Sequence, residues 1–258
     1  MQAHSLPPTY GFYWIQGGWR LFKAQPLALL FWSLATHILL QISFILPLLG
    51  QAAVLVLTPS MTFIVLNASW RIEQQHTMRL GDWLQPVKPA NTRTQLVRLG
   101  FLYMLCSLII AFVAITPFMD DIMQAVDHQG QVEFTALLQA MQKPMTLFTV
   151  LYVLLSGLFW HTPALVGWHH IPIKQALFFS MVACWRNKWG FLLYGAFWFG
   201  LIFATKQLTS VLLSSGMQSA TVQFILTPIN MILMAVLYAS FYPAYLTIFG
   251  VRPPEARA

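Results

Sequence analysis

The chain has 258 residues, 58% of them hydrophobic and only 8% charged. So few polar groups could not cover a water-soluble fold of this size, which excludes a soluble globular protein and points to a membrane protein. A net charge of +7, with a pI near 9.7, would suit nucleic acid, but the bases are scattered among connectors with no reading motif, so anionic lipid is the expected counter-charge and nucleic acid is not.

The first 26 residues hold neither an early apolar core nor a small-residue cleavage site, so no removable signal peptide is expected and the first span directs insertion. Within them, YGFYWIQGGWRLFKAQ mixes aromatic with basic residues, the composition of a helix lying at headgroup level. Apolar runs near 27–49 and 51–69 follow, joined by a hinge at Pro47 and Gly50. A second aromatic and basic connector, WRIEQQHTMRLGDWLQP, leads to a third run near 96–119. Beyond it Phe134, Leu137, Leu138 and Met141 have the i, i+3, i+4, i+7 spacing of a short helix capping the outer face. The fourth run, near 144–169, closes on HTPALVGWHH, and a third amphipathic connector, PIKQALFFSMVACWRNKWG, leads to runs near 190–214 and 223–249. A hydrocarbon core takes about 20 helical residues to cross. The prediction is an all-α polytopic bundle of six spans, one integral domain over 1–258, with amphipathic helices on its cytoplasmic side.

Positive charge sets the orientation, because cytoplasmic connectors retain Lys and Arg. Arg20, Lys23, Arg71, Arg79, Lys88, Arg93, Arg98, Lys174, Arg186, Lys188, Arg252 and Arg257 fall on one side. Lys143 stands alone on the other, among Asp120, Asp121, Asp127 and Glu133. Both termini are therefore expected in the cytoplasm.

Residues 10–70 and 176–241 echo each other. Trp19-Arg20 precedes Phe31-Trp32 by the interval that separates Trp185-Arg186 from Phe197-Trp198, and Thr-Pro follows in the next span each time. A tandem repeat leaves that pattern, and since both copies enter the membrane in one direction, the repeat would be parallel. Thr58-Pro59, Thr116-Pro117, Thr162-Pro163 and Thr227-Pro228 place the same step in four spans. Proline frees a carbonyl one turn earlier; a Thr hydroxyl or a neighbouring helix can satisfy it, and ordinary tolerance of proline in membrane helices competes with a hinge or a cavity as the reading.

Three histidines crowd into HTPALVGWHH, yet in a helix His161 and His169 stand about 12 Å apart along the axis and His169 and His170 diverge by about 100°. That segment alone cannot converge on a metal, whose ligands lie within about 2.3 Å of it. Trp168, His169 and His170 read as an interfacial anchor, and with Lys174, Trp185, Arg186 and Lys188 form the expected lipid contacts. His37, Cys106 and His161 come at comparable depths, about 13 to 15 Å from the cytoplasmic ends of their spans. If they faced one another they could form a soft-metal or proton-relay group, against a default of interhelical hydrogen bonds. Cys106 and Cys184 do not look like disulfide partners, and no cofactor or metal is expected.

The stretches GGWRLFKAQPLALLFW, WLQPVKP and TPALVGWHHIPIKQALFFSMVACWRNKWGFLLYG resemble a family of uncharacterised proteobacterial multi-pass inner-membrane proteins. The likeness covers most of the chain and is weakest from Asp120 to Lys143. It implies an all-helical protein of the inner membrane and brings no activity with it. The sequence contains no Walker loop, nucleophile elbow or HExxH motif. The leading expectation is a non-enzymatic scaffold, assembly factor or accessory subunit that contacts lipid, a membrane protein partner or a second copy. A small-molecule or lipid permease is the alternative, and an intramembrane enzyme using His37, Cys106 and His161 comes third.

Overall fold

The structure, a computed structural model, describes residues 2–125 and 134–250. Among them there is no strand, and six helices are long and apolar enough to cross a membrane. Arg252, Arg257, Asp127 and Glu133 lie outside the described residues.

The chain enters through α1 (Tyr10–Ala24) and turns at Gln25 into α2 (Pro26–Ile45), whose proline at the first position needs no donor. A tight turn, with Leu48 at φ +66°, returns it through α3 (Leu49–Glu73). Then come α4 (Ala90–Ile115), the short α5 (Met119–Gln124) and α6 (Phe134–Ala140), and α7 (Gln142–Phe159). The last group is α8 (Thr162–His169), α9 (Ile173–Arg186), α10 (Lys188–Ser214) and α11 (Ser219–Phe249). Both described ends of the chain meet at the basic end of the bundle, where the His4 N–H donates to the Ile248 carbonyl at 2.7 Å. At the other end Lys143 and Asp121 pair at 3.2 Å.

With 25, 26 and 31 residues, α3, α4 and α11 outrun the roughly 30 Å of a hydrocarbon core. Their buried side chains concentrate towards the basic end, Phe63 to Ile72 in α3 and Ala235 to Phe249 in α11. There α1, α8 and α9 add three more helices to the packing. Towards the acidic end the helices present apolar side chains outward: past Trp198, α10 exposes Phe199, Ile202, Phe203, Val211 and Leu213. Lipid tails are as apolar as leucine, so this surface costs little in a bilayer and much in water.

Small residues let α1 lie directly on its neighbours. A Cβ on Gly18 would stand 2.7 Å from the Val236 carbonyl oxygen, and one on Gly11 2.5 Å from that of Gly190. The first amphipathic segment is thus a helix, but Trp14, Leu21 and Phe22 face protein, leaving Phe12, Tyr13 and Trp19 exposed. The third forms α9 with Phe178 and Trp185 exposed. The second does not form a helix. After Glu73 the chain turns at Gln75 (φ +62°) and proceeds through 3-10 turns at Leu80–Asp82 and Gln85–Val87, because Gly81, Pro86 and Pro89 interrupt any longer ladder. It folds back over α2, with Trp83 stacked on Trp32 at 5.0 Å and the Gln25 amide bonded to His76 O and Met78 N–H. Asp82 accepts the Arg79 N–H and pairs with Arg71 at 3.4 Å; that backbone hydrogen bond, more than the charges, holds its carboxyl below the ordinary range.

The fourth run is two helices rather than one. Pro163 cannot donate, and the Ser180 hydroxyl enters the ladder where it would have closed: it accepts the His161 N–H at 3.0 Å and donates to the Gly157 carbonyl at 2.9 Å. Elsewhere the Thr-Pro steps differ. Pro59 and Pro228 stay inside helices, whereas Thr116-Pro117 turns α4 into a 3-10 turn. The Thr58, Thr116 and Thr162 hydroxyls bond to Val54, Phe112 and Leu158, each one carbonyl before the oxygen that its proline frees. Ser180→Ala should leave the His161 N–H and the Gly157 carbonyl without the hydroxyl that bridges them, at a cost of about 1–3 kcal/mol. Thermal unfolding of the purified variant checks this, an unchanged midpoint being the opposing result.

The two echoing segments share an order of elements: α1, α2, α3 and α9, α10, α11. Their surroundings differ, since α1 packs on α11 and α9 on α7.

Candidate functional site

At the basic end, the first turns of α4 and the corner between α8 and α9 enclose a cleft of about 570 Å³. From α4 come Asn91, Gln95 and Arg98, which the i, i+4, i+7 spacing puts on one face. The corner supplies His170, Lys174 and Gln175. His170 makes the corner by taking the left-handed conformation at φ 52°, with the Ile171 N–H closing back on the Leu165 carbonyl, and Pro172 then caps α9. The polar lining is two cations, one imidazole and three amides without an acid, a donor set that suits an anionic oxygen ligand.

The acids on this face are already engaged. Glu73 accepts the Tyr242 hydroxyl at 2.7 Å, and Asp82 is held by Arg71 and the Arg79 N–H. Arg98, Lys174, Arg186 and Lys188 enter no ion pair among the described residues.

Lys174, His170, Trp185, Arg186 and Lys188, expected to meet lipid, are all exposed. The Lys188 ammonium stands 4.8 Å above the Trp185 ring and 5.8 Å from that of Trp189. Trp168 is elsewhere. Only 6% exposed, it packs against Phe63, Tyr242 and Tyr245 and faces protein, because α8 is wedged between α3, α4 and α9. His169 is half-buried and shares a 2.6 Å hydrogen bond with the Tyr245 hydroxyl, so it ties α8 to α11.

His37, Cys106 and His161 are not brought together. No group of three metal-ligating side chains forms among the described residues. His161, the residue before α8, is 1% exposed and ringed by Phe191 near the start of α10 and by Tyr245 and Phe249 near the end of α11. His37 lines one of two small cavities on either side of α2, of about 150 and 120 Å³. These share Thr36, Leu40 and Tyr238, and add Asn230 and Thr227 on one side and Thr58 and Thr62 on the other.

Asn187 joins α9 to α10 at 2% exposure, and nothing in a basic, aromatic connector marked it out. Its Oδ1 accepts the Leu6 N–H, and its Nδ2 donates to the His4 and Ala183 carbonyls, each at 2.9 Å. The segment before α1 is thereby fastened across the basic end. Arg98 enters the sequence reading only as an orienting charge, and Asn91 and Gln95 not at all, although a polar stripe at i, i+4, i+7 at the mouth of a span is a signal that could find them.

Six apolar helices with a basic end and lipid-exposed flanks define an integral, multi-pass helical membrane protein. The chain is 27% identical over 264 residues to a protein of Burkholderia thailandensis named as a probable inner membrane protein, a match covering 99% of this chain and 97% of that one. The likeness to proteobacterial inner-membrane proteins therefore has a counterpart over nearly the whole length. No family model and no solved structure matches the chain.

Proposed function

We propose that this is a non-enzymatic inner-membrane component, a scaffold or accessory subunit, whose basic end lies in the cytoplasm and grips the anionic leaflet. The observation that carries this is a basic face whose described acids are consumed internally, leaving Arg98, Lys174, Arg186 and Lys188 to find anions outside the protein. The name of the Burkholderia relative supports the membrane assigned. Charge retention on the cytoplasmic side supports the orientation, with both termini inside. Each base near an anionic surface contributes about 1 kcal/mol at moderate salt. The full-length protein should unfold at higher temperature in bilayers containing phosphatidylglycerol than in phosphatidylcholine alone, and the gap should narrow as salt rises. Replacing Arg98 and Lys174 by Gln should remove about 2 kcal/mol of that stabilisation. Equal midpoints in the two bilayers would contradict the proposal.

A permease is the second reading, favoured by the polar cavities that flank α2 inside the bundle. A run of single cysteines along α2 separates the two: a continuous water-accessible stripe through Thr36 and His37 favours transport, and a dry helix favours the scaffold.

A further inference from the structure

A second, larger hollow lies where α10 leans away from α7. It has a volume of about 660 Å³, within the 300–1,000 Å³ range of small-molecule sites, and its lining is almost wholly apolar. Gly157 of α7 and Gly195 of α10 form part of that lining, with Trp160 and Trp198 also along it. A Cβ on Gly195 would meet nothing within 4 Å, so the space beside it is open.

Direction and length identify an occupant. The groove begins at Lys188, the first residue of α10, and reaches Phe199. Eleven helical steps cover about 16 Å, half of a hydrocarbon core of roughly 30 Å, so the groove runs from headgroup level to the midplane. That is the path of one acyl chain in a single leaflet. At its mouth the Lys188 ammonium is poised over Trp185, and no described carboxylate neutralises it. A cation at the mouth and an apolar slot of one leaflet's depth match the two parts of an anionic phospholipid.

We infer that the groove between α7, α9 and α10 is a binding site for one anionic phospholipid, an acyl chain lying along Gly157 and Gly195 and the phosphate at Lys188. This rests on the proposed function only for which leaflet supplies the lipid. The site is separate from the cleft of Arg98 and Lys174, and the two can be emptied independently.

Native mass spectrometry of the full-length protein, incubated with phosphatidylglycerol or phosphatidylcholine, tests the site. One phosphatidylglycerol should survive activation that strips other lipids. Gly195→Leu should lower its retention at least tenfold, while Gly200→Leu, on the same helix with equally open space and outside the groove, should leave it unchanged. Lys188→Gln should keep a lipid but lose the preference for phosphatidylglycerol over phosphatidylcholine. Unfolding midpoints near wild type for the two leucine variants confirm that the fold is intact, and stabilisation by anionic bilayers should persist in Gly195→Leu, which separates this site from the leaflet contact at large. The inference is overturned if wild type holds no such lipid, if Gly195→Leu and Gly200→Leu behave alike, or if Gly195→Leu instead dissolves a dimer, which would make the groove an interface between copies.

Discussion

Gly100→Val should be the most damaging single substitution in the bundle. A Cβ at Gly100 of α4 would collide with the Val56 carbonyl oxygen and stand 3.1 Å from the Val56 Cα of α3. Those atoms belong to helix backbone and cannot rotate aside, so α3 and α4, which pack closely on each other, would have to separate. Forced overpacking of a tight core costs about 1–3 kcal/mol for extra methylenes, and a backbone collision belongs at or above the upper end. Gly100→Ala is the sharper form of the test. Alanine favours a helix by about 1 kcal/mol over glycine, so loss of stability in Gly100→Ala would have to come from the contact and not from propensity. Gly200→Ala, with nothing within 4 Å, should instead gain stability. Unfolding midpoints in one detergent decide it, and a Gly100→Ala protein at or above wild type would contradict the packing described.

Asn187→Ala should release the amino-terminal segment. It removes the acceptor of the Leu6 N–H and the donor to the His4 carbonyl at a residue with almost no solvent access. Both bonds are part-buried, on a half-buried Leu6 and an exposed His4, so each loss costs about 1 kcal/mol. Asn187→Asp discriminates the mechanism. A carboxylate can still accept from Leu6 but cannot donate to His4 and Ala183, whose carbonyl oxygens it would face as bare charge. It should therefore be no better than alanine. Amide exchange at Leu6 should quicken in both variants along with a lowered midpoint. Unaltered exchange would mean that the segment is held by something other than Asn187.

The helices were legible because a membrane span is written locally: length and apolarity suffice, and all six runs reappear as helical spans, the fourth divided between α7 and α8. What the sequence could not separate was a kink from a break. Thr58-Pro59 and Thr162-Pro163 are the same step, yet one stays within α3 and the other divides α7 from α8, because the hydroxyl that bridges the gap belongs to Ser180 in the next helix. At that break aromatic rings enclose His161, and among the described residues it forms no metal-ligating group with His37 and Cys106. Trp168 departs from the expectation for a related reason: a tryptophan near a span's end usually sits at the interface, but here Phe63 of α3 and Tyr242 and Tyr245 of α11 cover it. The basic corner was partly legible. Lys174 and His170 stood out as local charge and aromatic patterning, whereas Arg98, which faces them, is far along the chain and joins them through tertiary packing. The same is true of the lipid groove, whose walls come from α7, α9 and α10 and which stands open beside Gly195.

The proposed orientation, with the basic end of the six-span bundle in the cytoplasm, is tested most directly by the sidedness of that end. A phosphatase or fluorescent reporter fused after Lys143 reads one end, and one fused after Ala258 reads the other. Opposite compartments are expected, with the first fusion active in the periplasm of a Gram-negative host and the second in the cytoplasm. Reporters that agree, or that exchange sides, would contradict it.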